Sequence, residues 1–356
     1  MRPEARSLIG LCLGAGDPVE ALRGIDLEAL TALASGLGVE SYVFNRLGPG
    51  QSRLGPTQER WFADLRRRVA SSAVSNLLRD SLLSGALSRL TGEGIEFILL
   101  KGAALRLLRP ELAGRFQTDV DLLLRRPDLE RAEEILADCG FGLDESSRSR
   151  AAALETHFHL GYERDGAAVE LHWSIDRSTP DGFLEALWDR SETVARDGRS
   201  WRILSPEHRL LFGCLHLSRH AFYYGLRWLA DLALELPENP ATLERFEADA
   251  RGWPQRAVRV PLWALRAFGD PAAAVFPSDL FEAGTVERSV LQDLLFHLLM
   301  GEGWHGLPGW RGEKAMRTWL FSDRPLLPLL AETSGSGLSQ RFQAWRGRRV
   351  LEEETT

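Results

Sequence analysis

The sequence has 356 residues, of which 44% are hydrophobic and 26% are charged, and its formal net charge is −7. This length and composition fit a globular protein of two or three domains, and the negative charge excludes a global attraction to nucleic acid. No uncharged apolar run is long enough to span a bilayer, so no membrane partner is expected. Cys12, Cys139 and Cys214 are too far apart for a metal site, which favours reduced thiols in a cytoplasmic protein.

Residues 1 to about 90 are predicted to be helical. Leucines recur at helical spacing between Leu27 and Leu37, and a second apolar pattern runs from Thr57 to Leu90. A Gly- and Pro-rich link at 47–56 separates the two segments. The run Arg66-Arg67-Arg68 has two interpretations, a phosphate-binding patch or a solvated helix face, and we favour the solvated face.

The pattern changes after the glycines of the segment 91–94. The short apolar run Ile95–Leu100 predicts a buried strand. Lys101 and Gly102 follow directly, and then a short helix is predicted over 103–108. A glycine that opens a helix after a strand leaves backbone N–H groups free to bind an anion.

The next predicted strand carries the pair Asp119 and Asp121. Alternation of side chains puts both carboxylates on one face and Val120, Leu122 and Leu124 on the other. Paired carboxylates repel each other unless a cation offsets their charge. The strand therefore predicts a divalent-metal site held in place by an apolar back face.

A helix from Pro127 and a β-hairpin are predicted next. The runs 157–163 and 169–173 alternate on either side of Asp165-Gly166, which is a hairpin turn signal. Glu170 lies on the polar face of the second run and supplies a third carboxylate. Three acids on adjacent strands can hold two divalent cations ~3.5–4 Å apart, which suits phosphoryl or nucleotidyl transfer.

Other polar residues near these strands keep more than one interpretation. His172 either supports the Glu170 carboxylate or faces solvent, and His157 and His159 are interpreted as structural. Helices are predicted to return after about residue 176. There, His216, His220, Arg227 and Asp231 could line the cleft, and zinc is not expected because His216 and His220 lack a third ligand.

We predict an α+β protein in which a small mixed-sheet core is flanked by helical regions. The predicted parts are an N-terminal helical region (1–90), the core (91–175) and a C-terminal helical domain (176–356).

The motifs resemble a known group of enzymes. They are Ile98-Leu-Leu-Lys-Gly-Ala-Ala-Leu105, then Arg115-x-x-x-Asp119-x-Asp121-Leu-Leu-Leu, then Val169-Glu-Leu-His-Trp173. Together they are similar to the polymerase-β-type nucleotidyltransferase superfamily. More narrowly, the chain resembles the bacterial uncharacterised nucleotidyltransferase family, often described near polysaccharide or peptide natural-product genes.

The resemblance implies a role for each motif. Gly102, with Lys101 beside it, matches the helix-opening motif that binds the triphosphate, and Asp119 and Asp121 match the pair that binds both Mg²⁺ ions. Glu170 matches the third carboxylate, which holds the catalytic metal near the attacking oxygen. The chain departs from the pattern at Gly102-Ala103, where a phosphate-binding hydroxyl is missing.

Three charged residues have alternative roles in this scheme. Lys101 contacts phosphate or extends from a strand end to solvent. Arg115 contacts the substrate, as does Lys101, or pairs with Asp119 or Glu111. Asp231 pairs with Arg227 or touches the nucleotide or acceptor.

The predicted activity is metal-dependent transfer of a nucleoside monophosphate from an NTP, such as ATP, with release of pyrophosphate. Two Mg²⁺ ions, or Mn²⁺ in their place, are the expected cofactors. The acceptor is expected to be a hydroxyl or phosphate of a small molecule, peptide or saccharide. The alternatives are a non-catalytic nucleotide-binding or protein-interaction module and a toxin–antitoxin-type modifier of protein or tRNA.

Overall fold

The computed structural model describes residues 2–144, 150–196, 198–237, 239–269, 285–302, 309–322, 326 and 329–330. The N-terminal region is helical, as predicted. Its helices are α1 (Pro3–Leu13), α2 (Leu27–Gly36), α3 (Glu40–Leu47) and α4 (Pro56–Gly92). Pro56 stands at the first position of α4, where its fixed φ suits a helix and its missing N–H costs no hydrogen bond. The side chains of Arg66, Arg67 and Arg68 are exposed, which agrees with the solvated-face interpretation.

A mixed sheet of seven strands forms the core, so the predicted α+β class is confirmed. The strands are β1 (Phe97–Leu99), β2 (Asp119–Leu124), β3 (Gly142–Leu143), β4 (His159–Arg164), β5 (Ala167–His172), β6 (Glu192–Arg196) and β7 (Arg199–Ile203). Their order across the sheet is β3-β4-β5-β2-β1-β7-β6. The helices between them are α5 (Lys101–Leu108), α6 (Leu129–Asp138), α7 (Arg150–Thr156) and α8 (Phe183–Asp189).

Strand β2 lies near the middle of the sheet, antiparallel to β1 and parallel to β5. Val120, Leu122 and Leu124 are buried on one face, in a cluster that includes residues of α4 and α6. Each fully buried leucine side chain contributes about 1.5–3 kcal/mol to folding. This apolar anchor fixes the opposite face, which carries Asp119 and Asp121.

The prediction that only helices follow residue 176 is wrong at β6 and β7. These strands form an antiparallel hairpin that extends the sheet, because β7 pairs in parallel with β1 through Leu99 and Ile203. The segment 192–203 is rich in polar and charged residues, and its apolar positions are few. An edge hairpin needs only one partly apolar face, so hydrophobic periodicity signals it weakly.

The other elements described in the C-terminal region are helices, and the helix predicted from Pro206 begins there. The helices are α9 (Pro206–Arg219), α10 (Leu226–Leu234), α11 (Pro240–Ala250), α12 (Gln255–Phe268), α13 (Thr285–Leu299) and α14 (Gly309–Leu320). One hydrophobic cluster runs through all three predicted regions and includes Leu30, Leu105 and Leu215. The boundaries at 90 and 175 stay predictions. None of the described helices is long and apolar enough to cross a membrane.

Candidate active site

Three acidic side chains meet on the polar face of the two central strands. In the parallel pairing of β2 with β5, Asp121 lies opposite Glu170, and Asp119 lies two residues earlier on the same face. Ligand oxygens of the three side chains lie within 4.8 Å of one another. Divalent cations bind carboxylate oxygens at about 2.0–2.6 Å, so one ion can contact all three. We call Asp119, Asp121 and Glu170 the carboxylate cluster.

Lys101 places its ammonium group among these carboxylates. Its Nζ atom lies 2.5 Å from Oδ1 of Asp121 and 3.6 Å from Oε2 of Glu170. Burial opposes the positive charge, but the nearby carboxylates outweigh burial and raise the pKa of Lys101. Lys101 therefore forms an ion pair inside the site and does not extend to solvent, and its contact with phosphate stays a prediction.

The pKa values of Asp119 and Asp121 are shifted in opposite directions. Burial alone would raise the pKa of Asp121, but Lys101 and His172 hold it well below its usual range. The pKa of Asp119 is raised, first by burial and then by the charge of Asp121. Of the two aspartates, Asp119 is therefore the one whose negative charge is less offset by neighbouring groups of the protein.

His172 contacts two members of the carboxylate cluster, Asp121 and Glu170. Its Nε2 atom lies 2.9 Å from Oδ1 of Asp121 and 3.0 Å from Oε2 of Glu170. The side chain is buried, so the interpretation of His172 as a surface histidine is wrong. Burial lowers its pKa, but the two carboxylate contacts outweigh burial and raise it.

His159 also lies in the cleft, although its sequence interpretation was structural. Its ring stacks on His172 with centroids 4.8 Å apart, and its Nε2 lies 3.9 Å from Oε1 of Glu170. Burial, followed by the charge of His172, lowers the pKa of His159 to about 4. The hairpin register could have located it, because a two-residue turn at Asp165-Gly166 puts residue 159 opposite residue 172.

A cleft of about 410 Å³ opens in front of the carboxylate cluster. Its opposite wall is formed by α9 with the residue that follows it and by α10, through His216, His220, Arg227 and Trp228. Three of these residues, His216, His220 and Arg227, are ones that the sequence placed in the cleft. Neither His216 nor His220 belongs to the two groups of described residues whose ligand atoms lie within 4.8 Å of one another.

Residues 23–261 match the family described as an uncharacterised nucleotidyltransferase. The chain belongs to this family. The resemblance seen in the sequence is therefore confirmed, and the protein is a transferase enzyme. Among curated proteins, none matches the chain.

Arg115 of this nucleotidyltransferase is buried and held by protein acceptors. Its Nε atom donates to Oδ1 of Asp231 at 2.8 Å and to the hydroxyl of Tyr42 at 3.0 Å. Nη2 donates to the second oxygen of Asp231, and Nη1 donates to the carbonyl of Phe116 at 3.1 Å. We call Arg115, Asp231 and Tyr42 the arginine brace.

The arginine brace corrects two sequence interpretations. Arg115 pairs with Asp231 and not with Asp119 or Glu111, and the partner of Asp231 is Arg115 and not Arg227. Contact with the substrate was the other interpretation of both residues, and it stays a prediction. In the structure their charged groups bind each other, and Asp231 lines a separate cavity of about 60 Å³ behind the cleft.

Gly102 is the second residue of α5, and it packs against the arginine brace. A Cβ atom added at this position would lie 2.3 Å from Nη1 and 2.9 Å from Cζ of Arg115. A side chain therefore cannot be added without moving a buried and fully engaged guanidinium group. The glycine is required by this close approach, whatever it contributes to phosphate binding in a nucleotidyltransferase.

Arg227, which the sequence offered as a partner of Asp231, has no carboxylate partner in the described part of the chain. Its guanidinium carbon lies 5.1 Å from the ring centre of Phe116 and 5.7 Å from that of Trp228. Burial and the positive charge of Arg115 lower the pKa of Arg227. A partly buried guanidinium at a cleft wall is suited to binding an anionic substrate group.

Proposed function

We propose that this nucleotidyltransferase moves a nucleoside monophosphate from an NTP to an acceptor and releases pyrophosphate. The acceptor group is a hydroxyl or phosphate of a small molecule, peptide or saccharide. The observation that carries the proposal is the convergence of Asp119, Asp121 and Glu170 within 4.8 Å at the wall of a cleft. Their all-oxygen donor set fits Mg²⁺ or Mn²⁺.

The transfer forms one bond and breaks another at the α-phosphorus. The acceptor oxygen bonds to phosphorus as the bond between phosphorus and the pyrophosphate oxygen breaks. Divalent cations at the carboxylate cluster would neutralise the phosphate charge that otherwise opposes this attack. Glu170 and His159 lie side by side at the cleft wall and provide bases for the acceptor proton, since a pKa of about 4 keeps His159 neutral near pH 7.

Triphosphate binding is assigned to the start of α5 and to Arg227. The helix start supplies backbone N–H groups beside Lys101 and Gly102. Arg227 offers a positive charge that replaces the hydroxyl missing at Ala103. Arg115 and Asp231 hold this wall in place, because their charged groups are already paired.

The test follows NTPs labelled at the α-phosphate in the presence of Mg²⁺ and the full chain. Water serves as the default acceptor, so the measured products are labelled NMP and unlabelled pyrophosphate. We expect release that stops when a chelator removes the metal and that is lost in Asp119→Asn. Asp165→Asn, at an exposed hairpin turn, is the matched control. Equal release by wild type and Asp119→Asn would overturn the proposal.

Added acceptors and calorimetry separate this enzyme from the alternatives. Metal-dependent NTP binding without any product would support the non-catalytic module. Label that appears on added tRNA or protein would support the toxin–antitoxin-type modifier. Label on a saccharide, peptide or small molecule would support the favoured acceptor class.

A further inference from the structure

We infer that the ammonium group of Lys101 takes the place of one of two divalent cations, so that the carboxylate cluster binds a single ion beside Asp119. This inference rests on the proposed function, because it concerns the cations held by the same three carboxylates. It makes Lys101 a built-in charge of the site in addition to its place at the start of α5.

The Nζ atom of Lys101 lies where a second cation would bind. Lys101 contacts Oδ1 of Asp121 at 2.5 Å and lies 3.6 Å from Oε2 of Glu170. Nε2 of His172 lies at 2.9 Å and 3.0 Å from these same two oxygens. A cation that bridges Asp121 and Glu170 would need these atoms. Two nitrogen atoms of the protein already converge on them.

Asp119 differs from the other two acids. In the part of the chain that the structure describes, its carboxylate has one hydrogen bond, from the hydroxyl of Thr118 at 3.2 Å. It lines the cleft together with Arg227. The oxygens of Asp119 are therefore the ones left for a metal ion that arrives with the triphosphate.

The backbone of Lys101 supports a functional role for this side chain. Its φ angle is +47°, in the left-handed region that favours glycine. The position is held on both sides, because the N–H of Leu100 donates to the carbonyl of Asp121 at 3.0 Å and Gly102 packs on Arg115. Glycine would relax this strain, yet the chain has one of its two lysines here. Strain of this kind persists where the side chain is needed.

The charges of the carboxylates and of Lys101 also indicate one divalent ion. Three carboxylates carry more negative charge than one ammonium group can offset, so one divalent ion is still required. A second divalent ion on Asp121 and Glu170 would lie next to Nζ. Like charges at such a distance repel strongly in a partly buried site.

The experiment measures bound Mn²⁺ by electron paramagnetic resonance, with the full chain and a non-hydrolysable NTP. Wild type is expected to give the spectrum of an isolated ion. Lys101→Met and Lys101→Gly are expected to bind a second ion and to give the spectrum of an exchange-coupled pair ~3.5–4 Å apart. Lys101→Gly also relieves the positive φ, so it removes the ammonium group without adding backbone strain. Lys314→Met, at an exposed lysine of α14, is the control and should resemble wild type.

The outcomes separate this inference from the proposed function. A coupled pair in wild type, or an isolated ion in both Lys101 variants, would overturn the inference and leave nucleotidyl transfer intact. No Mn²⁺ bound to wild type beyond that bound by the nucleotide itself would overturn both. An isolated ion in wild type and a coupled pair in the variants supports both.

Discussion

Two groups of charged side chains lie close together, one at the wall of the cleft and one behind it, and they are built differently. The carboxylate cluster has three acids that share one ammonium group and His172, and it opens to the cleft. The arginine brace is closed, because the guanidinium of Arg115 and the carboxylate of Asp231 neutralise each other and the hydroxyl of Tyr42 completes the set.

This difference distinguishes a functional site from a structural ion pair. Excess buried charge is costly unless a bound ion or substrate offsets it, so such a group points to a functional site. A neutral buried pair needs no ligand, but the loss of one partner leaves a buried charge alone. The arginine brace also joins α3, the loop before β2 and α10, which belong to the three regions predicted as separate domains.

The largest expected effect comes from Asp121→Asn in the carboxylate cluster. Transfer from the labelled NTP should fall at least about a thousandfold, because metal-assisted charge neutralisation contributes several kcal/mol to such reactions. Unfolding in denaturant should remain cooperative, since the substitution keeps the shape of the side chain. Transfer within tenfold of wild type would mean that the open group of charges is not the site of chemistry.

Substitutions in the arginine brace should lower stability, whereas Asp121→Asn should lower activity. Arg115→Met leaves Asp231 buried without its partner, so the free energy of unfolding should fall by about 3 kcal/mol. The double variant Arg115→Met with Asp231→Met should recover much of this loss, because no lone charge remains. Denaturant unfolding of the two single variants and the double variant measures the coupling. Additive losses would show that the two charges do not act as a pair.

Gly102→Ala tests the contact that links the two groups. The added Cβ would meet Nη1 of Arg115 at 2.3 Å, so we expect a loss of about 2 kcal/mol in the free energy of unfolding. In an Arg115→Ala background, which removes the clash, the cost of Gly102→Ala should largely disappear. If the cost persists there, the clash with Arg115 is not its cause, and the contact of the added Cβ with Oε1 of Gln117 at 3.3 Å would account for it.

Local pattern in the sequence was enough to place the acids. The alternation in 119–124 and the turn at Asp165-Gly166 predict two strands and the faces that Asp121 and Glu170 share. These signals are local because strand period and turn chemistry involve neighbouring residues only. The same kind of turn signal occurs at Asp197-Gly198. There the flanking residues are mostly polar, and the β6–β7 hairpin was missed.

The partners of the charges could not be predicted in the same way. Arg115 and Asp231 are 116 residues apart, and Lys101 and Asp121 are joined through the pairing of β1 with β2. A charged residue has several possible partners at such separations, and only the packing of the whole chain selects one. Sequence reasoning therefore offered Glu111, Asp119 or Arg227 where the structure has the arginine brace.

The smallest expected effect concerns His216, which lies on the cleft wall opposite the carboxylate cluster. Burial, followed by the charge of Lys101, holds its pKa well below the usual value. The folded protein keeps this histidine neutral, whereas the unfolded chain takes up a proton as pH falls below about 6.5. Its contribution to stability is therefore lost on acidification, by about 1 kcal/mol between about pH 6.5 and 5.5. Denaturant unfolding of wild type and His216→Asn gives the free energy of unfolding of each at both pH values. The difference between the two proteins should shrink by this amount from about pH 6.5 to about 5.5, and an unchanged difference would show that His216 is protonated in the fold.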